Sequence, residues 1–214
     1  MAHAHDNLCL QLQEVKLRDK SKVLYENLTF TLRPGEIGAV YGPSRSGKSS
    51  LLLLASGQLR PDAGRVTVGG GRPDLHKAGL GPIHDLNPLF DTLTLEEHLL
   101  FQGRLHGVRH VKQRVAELLD HYELASVKKR RVKDVGHLEQ FRIGLTTALI
   151  HRPDLILIDE PERGLTNEEW ELAARDLQEL AREGHTVLLT TVLAQVADGC
   201  QAVLELPSGE VTVR

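Results

Sequence analysis

Residues 8 to 15 alternate, with Leu8, Leu10 and Leu12 to one side and Cys9, Gln11 and Gln13 to the other, which predicts a half-buried strand. A second alternation sets Leu28, Phe30 and Leu32 on one face ahead of Pro34-Gly35, and a third has Val66 and Val68 between Gly64 and Gly69-Gly70-Gly71. These predict an antiparallel β layer. Other apolar runs do not alternate. Ile37-Gly38-Ala39-Val40-Tyr41 is short and largely apolar, Leu155-Ile156-Leu157-Ile158 is unbroken, and Thr186 to Thr191 favours β structure. Continuous apolarity is what a parallel strand covered on both faces requires. A helix begins over Ser49 to Leu54 and another covers roughly Asn167 to Glu183, so strand, helix and strand alternate as in a doubly wound α/β core. From about Thr94 to Leu149, Leu95, Leu99 and Phe101 to Leu105, then Val115, Leu118 and Leu119, predict an inserted helical lobe. The predicted fold is α/β: a mainly parallel, doubly wound sheet with an antiparallel β layer, as one domain over 1–214. Its core is 1–90 and 151–214, and its helical subdomain 91–150.

With 214 residues the chain buries a full core, and no internal repeat or low-complexity linker interrupts it. A net charge of -3 argues against a nucleic-acid partner. Cys9 and Cys200 are far apart and lack CxxC spacing, so neither a disulfide framework nor a metal knuckle is expected, and a reducing cytoplasm fits. The N-terminus carries no basic region followed by an apolar stretch, and Leu51 to Ala55, the longest apolar run, is far short of the ~18 residues a spanning helix needs. Any membrane role is therefore expected to be peripheral. His3, His5 and Asp6 read as a solvated tail in preference to a weak metal chelate.

Gly42-Pro43-Ser44-Arg45-Ser46-Gly47-Lys48-Ser49 fits the phosphate-binding pattern GxxxxGK[ST], in strand-loop-helix context. Successive backbone N–H groups of such a loop point inward, and the helix start adds positive potential. Gly42, Ser44, Arg45, Ser46, Gly47, Lys48, Ser49 and Ser50 are thus the predicted phosphate cradle. Lys48 is expected to reach the β- and γ-phosphates and the Ser49 hydroxyl to ligate Mg²⁺. Arg45 either brings a cation to the phosphates or only decorates the loop. The apolar strand ending in Asp159-Glu160 supplies the acid such a site needs: Asp159 for Mg²⁺, and Glu160 to orient or deprotonate an attacking water.

Pro153 to Pro161, the loop at 42 to 49 and the stretch Leu89 to Leu99 together resemble the ATP-binding cassette (ABC) ATPases, over nearly the whole chain from Leu8 to Val211 and most closely exporter cassettes. The resemblance implies a P-loop NTPase core that binds ATP with Mg²⁺. It also implies a homo- or heterodimer with a second cassette, a separate integral membrane transporter subunit, and a place in the cytoplasm at the inner face of the cell membrane. Members cap the partner's ATP with an LSGGQ signature, which here aligns with Val135-Gly136-His137-Leu138-Glu139. Those residues offer bulk and a negative charge where a phosphate cap needs a hydroxyl and open N–H groups. The family's metal-sensing glutamine aligns with Asp85, its switch histidine with Val192 and its loop aspartate with Thr166. An adenine-stacking aromatic is missing near Arg18 and Asp19, where Arg18 offers a guanidinium instead.

The expected function is the ATP-binding subunit of an ABC transporter with weak or partner-dependent hydrolysis, since one lost transition-state contact typically costs roughly 10²–10³ in rate. The alternative is a regulatory or structural pseudo-ATPase. A nucleotide-kinase-like enzyme shares the loop but not Asp159-Glu160-Pro161 or the lobe, and DNA-repair relatives would carry a long coiled coil. Lys128, Lys129, Arg130, Arg131 and Lys133 read as a solvated face of the lobe in preference to a membrane-subunit or lipid contact.

Overall fold

A computed structural model describes residues 8–20, 22–83 and 87–214. The alternating segments pair into an antiparallel sheet of β1 (Leu10–Asp19), β2 (Lys22–Leu32) and β4 (Ala63–Val68), in the order β2-β1-β4. The first strand starts two residues later than its alternation predicts, and Cys9, expected on the polar side, is buried. Glu14, at φ 48, sits where the register shifts between Leu12 and Val15, so a bulge returns Val15 and Leu17 to the buried side.

The second sheet has six strands in the order β5-β6-β7-β3-β8-β9. Its members are β3 (Ile37–Tyr41), β5 (Ala78–Leu80), β6 (Leu155–Ile158), β7 (Thr186–Thr191), β8 (Ala202–Glu205) and β9 (Val211–Val213), with only β9 antiparallel to its neighbour. The unbroken apolar runs are explained by cover on both faces. Ile156, Ile158, Val187 and Leu189 pack into a core with the helical lobe, whereas Leu155, Leu157, Leu188 and Val40 face Leu51, Leu52 and Leu54 of α1 (Lys48–Ala55) and the antiparallel sheet. Helix α1 is therefore held between two sheets, which fixes the loop that starts it.

The lobe comprises α2 (Leu95–Leu105), α3 (Val111–His121), a 3-10 turn at Val132–Asp134 and α4 (His137–Leu149). Leu95, Leu99, Val115, Leu118 and Leu119 are buried as their spacing predicts, but Phe101 and Leu105 face outward. The C-terminal part of α4 meets the main sheet closely: a Cβ on Gly79 of β5 would lie 2.0 Å from the Ala148 carbonyl oxygen. Helices α5 (Asn167–Arg182) and α6 (Ala194–Asp198) complete the chain. Thr94 and Thr166 open α2 and α5 with reciprocal capping boxes to Glu97 and Glu169. Thr166 thus does local structural work at the position aligned with the family's aspartate.

Candidate functional site

The strand order decides what meets at the C-terminal ends of the parallel strands, where ligands of open α/β sheets collect. Strand β3 delivers the glycine-rich loop, β6 delivers Asp159, and β7 lies between them. The Ser49 hydroxyl, in the first turn of α1, lies 3.1 Å from both carboxylate oxygens of Asp159. The buried hydroxyl of Thr190 on β7 donates to Asp159 Oδ1 at 2.6 Å and accepts from the Glu160 backbone N–H at 3.0 Å. One threonine therefore fixes both acids of the predicted pair.

Lys48 is only 5% exposed. Its ammonium donates to the Gly42 and Pro43 carbonyls at 3.0 and 3.1 Å and stands 3.6 Å from Glu160 Oε1. The loop closes over it through left-handed backbone at Arg45 (φ 64) and Gly47 (φ 102). A non-glycine residue in that region costs roughly 1–2 kcal/mol, so Arg45 stores strain while its side chain stays exposed at the cleft. Glu160 carries the same kind of strain at φ 44. The Ser46 hydroxyl is buried inside the loop without a hydrogen-bond partner, an acceptor-donor waiting in a cradle shaped for an anion.

A cleft of about 940 Å³ joins these groups. Ser44, Arg45, Gly47, Lys48, Ser49 and Ser50 form one wall, Asp159, Glu160 and Arg163 another, and Asp19, Lys22 and Leu24 of the antiparallel sheet the far end. The structure thus gathers the predicted loop residues and the acid pair in one place. Asp85 and the N-terminal His3, His5 and Asp6 lie outside the described residues.

The segment aligned with the signature opens α4. Gly136 is its N-cap and has no side chain to cap with, and Glu139 folds back so that a Cβ on Gly136 would meet its Oε2 at 2.6 Å. The start of this helix presents a carboxylate where a phosphate cap needs a hydroxyl. His137 packs toward Gly164, whose added Cβ would lie 3.5 Å from the imidazole. Val192, directly after β7, is 39% exposed and carries no polar atom. In the basic cluster, Lys128 and Lys129 both pair with Glu96 and Arg130 bonds the Asp134 carbonyl, which matches a solvated face of the lobe.

Sequence reasoning missed Thr190, Thr191, Glu162 and Arg163. Thr191 donates to Glu162, whose carboxyl is pushed up by burial, with Glu160 nearby adding to the effect. The available signal was a pair of hydroxyls at the end of an otherwise apolar strand.

A family model described as ABC transporter matches residues 25–163. The chain is similar to the ABC transporter ATP-binding protein NatA of Bacillus subtilis, 31% identical over 209 residues that cover 93% of this chain and 85% of that protein. It is 33% identical over 208 residues to Nod factor export ATP-binding protein I of Sinorhizobium fredii, covering 92% of this chain and 60% of the relative, so it spans less than two thirds of that protein's length. The solved structure of CbiO1 from Clostridium perfringens, part of the ABC transporter complex CbiONQ, shares the fold with a TM-score of 0.82 at 19% identity, over 97% of this chain and 88% of that one.

Proposed function

The chain belongs to the ABC transporter family, and we propose that it is an ATP-binding subunit that couples nucleotide binding to a separate integral membrane subunit, with weak or partner-dependent hydrolysis. The observation that carries this reading is the Ser49-Asp159-Thr190 chain of hydrogen bonds, which ties the phosphate loop to the acid pair with Lys48 beside Glu160.

The residues present fit ATP and Mg²⁺. An all-oxygen pair, Ser49 and Asp159, suits a hard divalent cation, and the unpartnered Ser46 hydroxyl suits a phosphate oxygen. When bound, Mg²⁺ supplies charge neutralisation on the phosphates. Gly42, Ser44, Arg45, Ser46, Gly47 and Ser50 shape the cradle around the phosphates. Lys48 exchanges its carbonyl partners for β- and γ-phosphate oxygens and releases Glu160, which then holds a water and accepts its proton. Asp85 is retained in the proposed site on the family resemblance alone. With Val192 in place of a histidine and Glu139 over the start of α4, two of the groups that would position the reaction are missing, which supports slow turnover by the chain alone.

Dimerisation with a second cassette, of the same or another chain, follows from the family. An intact partner would restore a cap over this chain's nucleotide. The lobe offers a surface for the membrane subunit: Phe90 and Phe101 meet edge to face at 5.5 Å, Leu105 follows one turn later, and all three are exposed. Among the described residues no helix is long and apolar enough to cross a membrane. The family likeness supports a peripheral place at the cytoplasmic face. The domain division we propose keeps 1–90 and 151–214 as core and 91–150 as helical subdomain, with α4 as the joint between them.

Equilibrium titration with Mg-ATP tests the site. Removing a charged hydrogen-bond donor costs roughly 1.5–3 kcal/mol, so Lys48→Ala should bind at least tenfold more weakly. Equal affinity would refute the assignment. The second reading, a pseudo-ATPase that only binds, is favoured by the Glu139 carboxylate over Gly136. It predicts that Glu160→Gln is silent in cells whereas Lys48→Ala is not.

A further inference from the structure

A second cavity, of about 480 Å³, lies where α2, α3, the segment after α4 and the segment before β5 meet. None of its lining residues borders the nucleotide cleft. His106, Arg109 and His110 enter from the α2–α3 connection, Arg114 and Glu117 from α3, His151 and Arg152 from beyond α4, and His76 from ahead of β5. Glu117 is the single carboxylate in this wall, against three guanidinium groups, and it stands 3.8 Å from both Arg114 and Arg152. The cavity is therefore cationic even with every imidazole neutral.

Three nitrogen atoms here are buried and have no hydrogen-bond partner: Arg114 Nε and both ring nitrogens of His151. The neutral His151 ring carries one N–H and one bare nitrogen, so two of the three atoms are donors; buried donors are seldom left unpaired, and those that are point to a ligand or a water. Helix α3 also begins at this cavity. Its N-cap, His110, is left-handed at φ 52 and makes no side-chain cap, and no acidic residue occupies the first turn. The free N–H groups of that turn add to the positive potential. His106 and His151 stack with ring centroids 4.2 Å apart and planes 9° from parallel.

We infer that this cavity binds a phosphorylated small molecule, its phosphate held by Arg109, Arg114 and Arg152 beside the His106–His151 stack. Several convergent cations call for an anion of more than one charge, and guanidinium forks match phosphate oxygens. The volume falls in the range of small-molecule sites, so the phosphate belongs to a larger ligand. A metal ion fits less well. Among the described residues the only trio whose donor atoms lie within 4.8 Å of one another is His121, Glu179 and Glu183, and imidazoles stacked face to face do not converge on one ion.

The histidines contribute to binding a pH dependence whose sign follows from their burial. Burial first, then the neighbouring imidazoles, pushes His151 down to about 4, and burial with His76 nearby lowers His106. An anion favours the charged ring, so the histidines' share of the binding strengthens as pH falls from about 8 to about 6, against the phosphate's own loss of charge near ~6.

The experiment is calorimetric titration of inorganic pyrophosphate into the full chain carrying Lys48→Ala, which weakens the phosphate loop, with and without Arg109→Glu and Arg152→Glu; heat that the double reversal leaves untouched belongs to the loop. Both arginines are exposed, so the pair of substitutions leaves packing intact, and a thermal melt verifies it. We expect binding at about pH 6 that the double reversal weakens by tenfold or more, and an affinity advantage over His106→Gln that grows as pH falls from about 8 to about 6, the ligand's own titration being common to both. Equal affinity in the double reversal, or no heat at roughly millimolar pyrophosphate, overturns the site. Phosphatidylcholine vesicles containing phosphatidic acid separate the sources. Co-sedimentation lost on double reversal assigns the phosphate to a lipid headgroup and overturns the small-molecule ligand, while its absence beside pyrophosphate binding supports a soluble one.

Discussion

His98 should make the stability of this chain depend on pH. The side chain is fully buried on α2, and its Nε2 lies 3.1 Å from Thr147 Oγ1 on α4. The Thr147 hydroxyl already donates its one hydrogen to the Ile143 carbonyl at 2.7 Å, so it can only accept from the ring. That fixes the neutral tautomer with hydrogen on Nε2 and leaves Nδ1 bare and without a partner. Protonation would bury a charge and an N–H that nothing accepts, and burial accordingly pushes the ring down to about 4. An unfolded chain takes up this proton near ~6.5, the folded chain only near 4. The contribution is complete above the unfolded value and is lost as pH falls through that window. Integrated, the loss relative to neutral pH is about 2 kcal/mol at pH 5 and about 3 kcal/mol at pH 4. Urea unfolding of the wild type and His98→Gln at about pH 7.5 and about pH 5 isolates the effect, because glutamine keeps an N–H for Thr147 and does not titrate. The wild type should lose about 2 kcal/mol more than the variant across that interval. Parallel losses would refute the neutral buried tautomer.

Two further substitutions probe the site and its support. Thr190→Val keeps shape but removes the hydroxyl shared by Asp159 and the Glu160 N–H; it should cost about 2–3 kcal/mol in urea unfolding and weaken Mg-ATP binding, whereas a change confined to stability would mean the acid pair holds its place unaided. Arg142 is 11% exposed and bonds Asp176, itself 14% exposed, at 2.9 Å. Arg142→Met should destabilise by about 2–4 kcal/mol by stranding that carboxylate, and adding Asp176→Leu should recover most of it, an outcome a thermal melt distinguishes from simple additivity.

The parts of this molecule legible in the sequence are those whose pattern is local. Ile37–Tyr41, Leu155–Ile158 and Thr186–Thr191 read as strands because both faces are covered, and the structure begins and ends them at those residues. The loop between β3 and α1 was legible because its glycines and lysine have fixed spacing, and Arg45 takes the left-handed backbone that its place in the loop demands. Strands β5, β8 and β9 escaped notice. Each has three or four residues, and β5 contains Gly79, which is there because Ala148 of α4 comes so close, a tertiary reason invisible in the strand itself. Thr190 escaped for a similar cause: it serves Asp159 from 31 residues away, and only the order of strands reveals it. The cationic cavity draws His76, His106 and His151 from three separate segments, so no spacing announces it.

We propose a nucleotide site that binds but turns over poorly without a better-equipped partner. Steady-state Mg-ATP hydrolysis by the purified chain, with Lys48→Ala as background and ATP binding measured on the same samples, tests it most directly. Bound ATP with a rate at or only slightly above the Lys48→Ala control is expected. Turnover clearly above that control would contradict it, showing that Glu160 completes a working site despite Val192 and Glu139.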